Sequence, residues 1–293
     1  MGISDSSSLQ RRAVFFSGEG LENRCSDRTK NLTKGYMDFE IAIPSYQRAK
    51  RLKEQTLSYL LSQGVPKEKI TIFVKNQEEY ERYTQEISGV SIIICLNKTL
   101  NDKRTFINYF YPEGTRVVNM DDDIKELSFL NPTRQMIPTF NRLFQMLEEQ
   151  GCSLWGVYPV YTTNKFYLKE RVAVGLNYCV GACFGYINRR LTVSDKCVGY
   201  EDKWTSLYYY KRDGKVLRYE GCCPKTNYFS TGGLAEIRKQ IDVVPDLQEL
   251  AKEYPDCVQF KVKANGRPDL VFKRTKRVFL GLDNQSSPNP DEE

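Results

Sequence analysis

Arg116-Val117-Val118-Asn119-Met120-Asp121-Asp122-Asp123 sets a short apolar run directly against three carboxylates. The run reads as a buried strand, because β-branched and apolar residues fill it and polar residues bound it. The aspartates are hard oxygen ligands of the kind a divalent Mg or Mn ion requires. A second reading stays open from these residues alone. Asp is a good N-cap, so the triplet could also be an acidic turn that starts a helix at Ile124-Lys125-Glu126-Leu127.

The residues upstream give the triplet its setting. Phe39-Glu40-Ile41-Ala42-Ile43-Pro44 reads as a strand ended by proline. Leu52, Leu57, Leu60 and Leu61 follow helical spacing, and Gly64 stops that helix. Ile70 to Val74 and Val90 to Cys95 are further strands. Glu78 to Gln85 and Phe106 to Tyr111 are the helices between them. Strand–helix alternation with short apolar strands predicts an α/β fold. Its central sheet is mostly parallel and covered by helices on both faces. Ligands sit at the carboxyl ends of such strands. That puts the turn Pro44-Ser45-Tyr46-Gln47-Arg48 and the aspartate triplet on one edge.

Downstream, Pro138 to Gln150 reads as an amphipathic helix with Phe140, Leu143, Phe144 and Leu147 on one side. Trp155 to Tyr161, Cys179 to Ile187 and Lys215 to Tyr219 read as strands, and Glu201 to Arg212 as a helix. Residues 261–277 hold seven Lys/Arg and one Asp, a basic tail suited either to solvent or to an anionic partner.

Composition narrows the chemistry. The chain of 293 residues has net charge +6 and no histidine. The missing histidine excludes His triads and His general bases and argues against most zinc sites. Any acid–base work falls to carboxylates, Lys, Tyr or Cys. The nine cysteines are read as reduced and mostly buried thiols. No apolar run approaches the roughly 20 residues of a membrane span, and no signal-peptide h-region is present. The expectation is an unsecreted protein of the cytoplasm or nucleus, with no membrane and no obligate protein partner.

IPSYQR (43–48 with Ile43 first), the polar turn Lys75-Asn76, Lys103-Arg104 and NMDDDI (119–124) together resemble GT-A glycosyltransferases in type and order. The likeness covers roughly residues 39–125 and extends to Glu201-Asp202. It implies a GT-A core, an α/β Rossmann-like fold with a mixed, mostly parallel central sheet flanked by helices, as one catalytic domain over 38–285, preceded by an arm at 1–37 and followed by a tail at 286–293. Residues 38–130 would be the nucleotide-sugar half, and 131–285 the acceptor half with the basic C-terminal segment. The resemblance places the family's DXD motif on Asp121 and Asp123 as metal ligands for Mn or Mg. It makes Asp121 and Asp122, with Pro44, Ser45, Tyr46, Arg48, Lys75 and Arg104, the donor-binding set for a UDP-sugar co-substrate.

In more detail, IPSYQR, NMDDDI, GYEDKW (199–204) and YFSTGGL (228–234) are similar to the TET/JBP-associated glycosyltransferases. That family is thought to place sugar on hydroxymethylated pyrimidines in DNA, as in base J. The likeness implies DNA as acceptor partner and extends the setting to a virus- or phage-infected cell.

Inverting transfer needs a carboxylate to take the acceptor's proton. Asp202 is the expected base, oriented by Glu201. An acidic pair at a helix N-terminus also suits the dipole, and a retaining enzyme needs no such base, so both courses stay open. Trp204 and Tyr208 offer stacking surface for a base or sugar, though aromatics at helical spacing also suit a core. Gly232 and Gly233 offer backbone N–H groups at a helix entry. Lys273, Arg274, Lys276 and Arg277 would meet the phosphate backbone. The competing readings are a transferase acting on glycan or protein, a nucleotidyltransferase, and a non-catalytic nucleic-acid-binding protein. The nucleotidyltransferase would usually carry a Gly-rich loop where Pro44 to Arg48 has no glycine.

Overall fold

The structure, a computed structural model, describes residues 37–96, 98–161, 165–195, 198–226 and 242–283. The arm (apart from Met37), the tail from 286 and the expected site residues Gly232 and Gly233 lie outside the described residues.

The four expected strands form one end of the main sheet: β1 (Glu40–Pro44), β2 (Ile70–Val74), β3 (Ser91–Ile94) and β4 (Arg116–Met120). They alternate with α1 (Ala49–Leu52), a π turn (Lys53–Leu57), α2 (Ser58–Ser62), α3 (Gln77–Glu86) and α4 (Leu100–Phe110). After β4 come β5 (Ile124–Phe129), α5 (Met136–Gln150), β6 (Leu154–Val157), β7 (Val172–Gly175), β8 (Cys183–Ile187) and α6 (Glu201–Asp213). Then follow β9 (Val216–Tyr219), β10 (Cys222–Thr226), α7 (Val244–Glu253), β11 (Val258–Val262), β12 (Pro268–Phe272) and β13 (Val278–Leu280).

The main sheet has nine strands in the order β13-β7-β9-β6-β8-β4-β1-β2-β3. β1 is parallel to β2 and β4, β2 to β3, and β6 to β9. β8 is antiparallel to β4 and β6, and β7 is antiparallel to β9 and β13. Seven of the nine strands therefore run one way, and β7 and β8 run the other. This is a mixed, mostly parallel α/β architecture with helices on both faces of the sheet.

Period-two burial explains the layering. Ile41, Ile43, Val118 and Met120 face one side, where they meet Leu52, Leu60, Tyr83, Phe140 and Phe144 of the covering helices. Ala42 and Val117 face the other, with Ile107, Leu207 and Leu247. All four aliphatic and aromatic positions predicted on α5 are buried. Trp155 is fully buried, 4.7 Å from the Phe140 ring and 5.6 Å from that of Phe144.

One open alternative closes and three local readings change. Ile124 to Leu127 is not a helix start: it belongs to β5, which pairs antiparallel with β10 in a separate two-stranded sheet. The strand read at Trp155 to Tyr161 is β6, which stops at Val157. The strand read at Cys179 to Ile187 starts at Cys183, because the Cys179 N–H donates to the Ser206 hydroxyl of α6 (3.0 Å) rather than to a strand neighbour. Much of the basic tail is an antiparallel hairpin, β11–β12, with Val258 and Leu270 buried beneath it. Among the described cysteines, six of seven are buried. No described helix is long and apolar enough to cross a membrane.

Gly185 sits opposite Trp155 across the β6–β8 pair. A Cβ there would lie 2.3 Å from the indole, and the ring is locked on its other side by Phe140 and Phe144. Gly185→Ala is expected to destabilise the fold by about 1–3 kcal/mol, read as a lowered urea midpoint with unchanged slope.

Candidate active site

β4 ends at Met120, and the chain leaves the main sheet through Asp121-Asp122-Asp123 to enter β5. The triplet thus occupies the junction of two sheets at the carboxyl end of a central strand. The turn is pinned by backbone and side-chain bonds. The Asp121 N–H donates to the Ala182 carbonyl at the start of β8 (2.9 Å). The Thr56 hydroxyl, on the π turn, donates to the Asp121 carbonyl (2.8 Å) and accepts from the Ile124 N–H (2.9 Å).

The three carboxylates have different surroundings. Asp122 is buried: its Oδ2 accepts from the Ser45 hydroxyl (2.6 Å) and its Oδ1 from Arg48 Nη1 (2.9 Å). Asp123 lies 3.4 Å from the same guanidinium nitrogen. Burial and the Asp122 charge raise the Asp123 carboxyl above its usual range, against the pull of Arg48 and Arg51. Asp121 keeps 40% of its side chain exposed and lies 3.5 Å from Arg104 Nη2. Burial of the carboxyl pushes it up to about 8, opposed by Arg104 and assisted by repulsion from Asp123, Asp122 and Glu201. Solvent over its open side weakens that rise, and its direction is what the packing fixes.

The β1 loop is held from several sides. Ser45 Oγ lies 2.5 Å from the Tyr83 hydroxyl of α3, and the Arg48 N–H donates to the same hydroxyl (3.1 Å). Gln47 adopts a left-handed φ of 56°, and its N–H donates to Glu79 Oε2 (2.7 Å). Lys103 is turned inward: its ammonium donates to the carbonyls of Ser45 (2.6 Å) and Phe73 (3.2 Å), and burial lowers its pKa. Of the expected donor residues, Ser45, Arg48 and Arg104 meet the triplet directly. Pro44 is buried at the end of β1. Tyr46 is half-buried with the Lys75 ammonium 5.4 Å from its ring centroid. The neighbouring Asn76 caps α3 through Glu79 N–H (3.0 Å).

Arg104 is a buried strut. Its Nη1 donates to Asn119 Oδ1 (2.6 Å) and its Nη2 to the Gly181 carbonyl (3.0 Å), with the guanidinium 5.1 Å from the Phe184 ring centroid. The Gly181 N–H donates in turn to Asp202 Oδ2 (3.1 Å). One residue therefore joins the triplet's partner Arg104 to the acidic pair that opens α6. Asp202 also accepts from the Tyr178 hydroxyl (2.5 Å) and from the Lys203 N–H (2.8 Å). Glu201 is buried and close enough to repel Asp121.

The basic hairpin is keyed to the same helix. Lys203 Nζ pairs with Asp269 and donates to the Leu270 carbonyl (2.9 Å). The Tyr200 hydroxyl donates to the Pro268 carbonyl (3.1 Å), and the rings of Tyr178 and Phe272 lie 5.7 Å apart. Lys273, Arg274 and Lys276 are exposed just beyond β12. Arg277 instead reaches the Leu176 carbonyl (3.2 Å). Trp204 is buried in the second core cluster with Tyr208 stacked on it at 5.2 Å, so these rings serve packing.

Among the described residues no three His, Cys, Asp or Glu side chains converge on one point. The expected pair, Asp121 and Asp123, offers two hard carboxylates on alternate positions of one turn. That fits a Mg or Mn ion whose remaining ligands are diphosphate oxygens and water, the usual mode for such ions. It does not fit an all-protein cage.

Thr56, Tyr83, Tyr178 and Gly181 hold the site together, and none carries a sequence pattern of its own. Each works through a long-range contact that no local spacing announces.

No family model and no curated protein matches the chain. Among solved structures it is similar to glucosyl-3-phosphoglycerate synthase from Mycobacterium tuberculosis in complex with Mn2+ and UDP-glucose. That alignment has 9% identity and a TM-score of 0.47, over 82% of this chain and 89% of that one. It is similar to the mannosyltransferase PcManGT from Pyrobaculum calidifontis in complex with GDP-Man and Mn2+, at 12% identity and TM-score 0.48, over 74% and 64%. It is also similar to CMP:2-keto-3-deoxy-manno-octonic acid synthetase complexed with CTP, at 11% identity and TM-score 0.41, over 69% and 98%. At 9–12% identity these likenesses carry no residue roles to this chain. The architecture rests on its own strand order.

The unequal surroundings of the aspartates predict unequal variants. Asp122→Ala leaves Arg48 and Ser45 without their buried carboxylate and is expected to cost about 3 kcal/mol. Asp121→Asn removes a carboxyl whose folded pKa is raised. The folded wild type then holds a proton that the unfolded chain releases between about pH 4 and 8. Wild-type stability falls across that window, and the gain from Asp121→Asn grows through it and levels off above. Urea titrations in chelator at pH 5, 7 and 9 check both.

Proposed function

We propose that the chain is a metal-dependent GT-A glycosyltransferase that moves a hexose, glucose first among them, from a UDP-sugar to a hydroxymethylated pyrimidine in DNA. The observation that carries this is the meeting of two acidic sets across one residue. Arg104 binds the Gly181 carbonyl and faces Asp121, while the Gly181 N–H binds Asp202. A leaving diphosphate and an attacking hydroxyl need such opposed groups within one cleft.

In this reading Asp121 and Asp123 hold Mn or Mg. When bound, the ion stabilises the departing diphosphate. Arg48 fixes Asp122 and Asp123, and Arg104 sets the wall beside Asp121. Ser45, Tyr46 and Lys75 border the nucleoside side. Asp202 takes the acceptor proton, held in place by Tyr178 and Gly181, and Glu201 adds negative charge between it and the triplet. The polyanionic acceptor is supported by the hairpin: Lys203, Tyr200 and Tyr178 tie β12 to the helix that bears Asp202. Its exposed Lys261, Lys263, Arg267 and Lys273 therefore lie on a unit fixed to the acceptor side.

UDP-sugars are screened with Mn or Mg against hydroxymethylated DNA, unmodified DNA and a glycan panel, with released UDP as readout. Metal-dependent release, greatest with hydroxymethylated DNA, is expected, and Asp123→Asn should lower it by about 100-fold. Fastest turnover on the glycan panel would move the acceptor from DNA to glycan. Salt-sensitive DNA binding without UDP release from any sugar would leave only a binding protein. Neutralising Lys273 and Arg274 should flatten the salt dependence of DNA binding by about two ions.

A further inference from the structure

The helix after β1 is not a regular α-helix. Between α1 and α2 it widens into the π turn Lys53–Leu57. Thr56 lies in that turn and is fully buried, whereas Lys53 and Glu54 beside it are exposed. Its hydroxyl satisfies both ends of the aspartate turn at once, donating to the Asp121 carbonyl and accepting from the Ile124 N–H. These two backbone groups bracket the span that carries the metal-ligand pair. π turns insert one extra residue into a helix and recur at functional sites. Here the inserted residue sets which side chain faces the triplet, since each residue of a regular helix advances the face by about 100°.

We propose that Thr56, aimed by the π turn, is a positioning residue that fixes the Asp121–Asp123 turn in the conformation that binds a metal–nucleotide donor. The inference rests on the glycosyltransferase reading for its functional half. The structural half, control of the turn by Thr56, is independent of it. Thr56→Ser keeps the hydroxyl and Thr56→Val keeps the shape, so the two variants separate hydrogen bonding from packing. Deleting the exposed Glu54 tests the π turn itself, because loss of one residue returns the helix to α spacing and swings Thr56 off the aspartate turn.

The test has two arms on the full chain. In the first, hydrogen exchange is followed at residues 121–124 without ligand. Thr56→Val and the Glu54 deletion are expected to speed exchange of the Ile124 amide by about tenfold or more, with β1 and β4 amides unchanged and Thr56→Ser near wild type. In the second, Mn titrations with UDP and steady-state kinetics are run. Thr56→Val should weaken Mn–UDP binding and raise the donor KM by about tenfold, with the acceptor KM unchanged and Thr56→Ser restoring both. Unchanged exchange at Ile124 in Thr56→Val would overturn the proposal, as would Thr56→Ser as impaired as Thr56→Val. A wild type that binds no Mn–UDP would overturn the glycosyltransferase reading and the functional half with it, while the exchange arm still decides whether Thr56 governs the turn.

Discussion

A buried carboxylate in need of partners organises this end of the molecule. Asp122 is out of water, and an unpaired charge there would cost several kcal/mol. Ser45 and Arg48 supply its bonds, and both come from the loop after β1, the strand beside β4. Two loops that need not have met are thereby locked to each other. Tyr83 then couples α3 to the same loop, and Lys103 ties α4 to it through two backbone carbonyls. The left-handed Gln47 is tolerable because Glu79 takes its N–H; a non-glycine residue in that region otherwise carries a penalty of roughly 1–2 kcal/mol. With its middle aspartate committed to structure, the triplet keeps Asp121 open to solvent on one side while Asp123 shares the Arg48 guanidinium.

The opposite wall follows from topology. β8 runs against β4, so the start of β8, and not its end, adjoins the carboxyl end of β4. Backbone groups of Gly181 and Ala182 therefore bond Asp121, Arg104 and Asp202. Gly181 bonds both Arg104 and Asp202. Asp202 is held by the N-terminus of its own helix and by a tyrosine hydroxyl and a peptide N–H that both come from the β7–β8 connection.

The parallel half of the sheet was legible because its cause is local. Ile41 and Ile43 alternate with Ala42 between the two faces, and proline ends the strand; those rules act within one strand's length. The aspartate triplet was legible as a strand-end feature for the same reason. β5 was not foreseen, since Ile124 to Leu127 lacks a decisive period and left a helix start open; its fate is set by β10, far downstream. The hairpin β11–β12 was hidden by lysines on its outer face that made it look like a solvated tail. Arg104 was expected to face the donor, yet it and Lys103 are buried, bonded to carbonyls and to Asn119. Thr56 could not be found at all. A π turn is one residue of excess helix, and nothing in Lys53 to Leu57 marks it.

The last strand gives the sheet a temporal order. β7 has β9 on one side and β13 on the other, and the β13 pairing joins Val174 to Val278. Until residue 280 has left the ribosome, one edge of Val172-Ala173-Val174 offers unpaired backbone N–H and C=O groups. Such an edge is a template for adding a foreign strand. The parallel half, whose strands pair with near neighbours in sequence, can close long before that. During synthesis the parallel half can therefore close while the β7 flank is still bare, and one short strand, Val278 to Leu280, covers that flank.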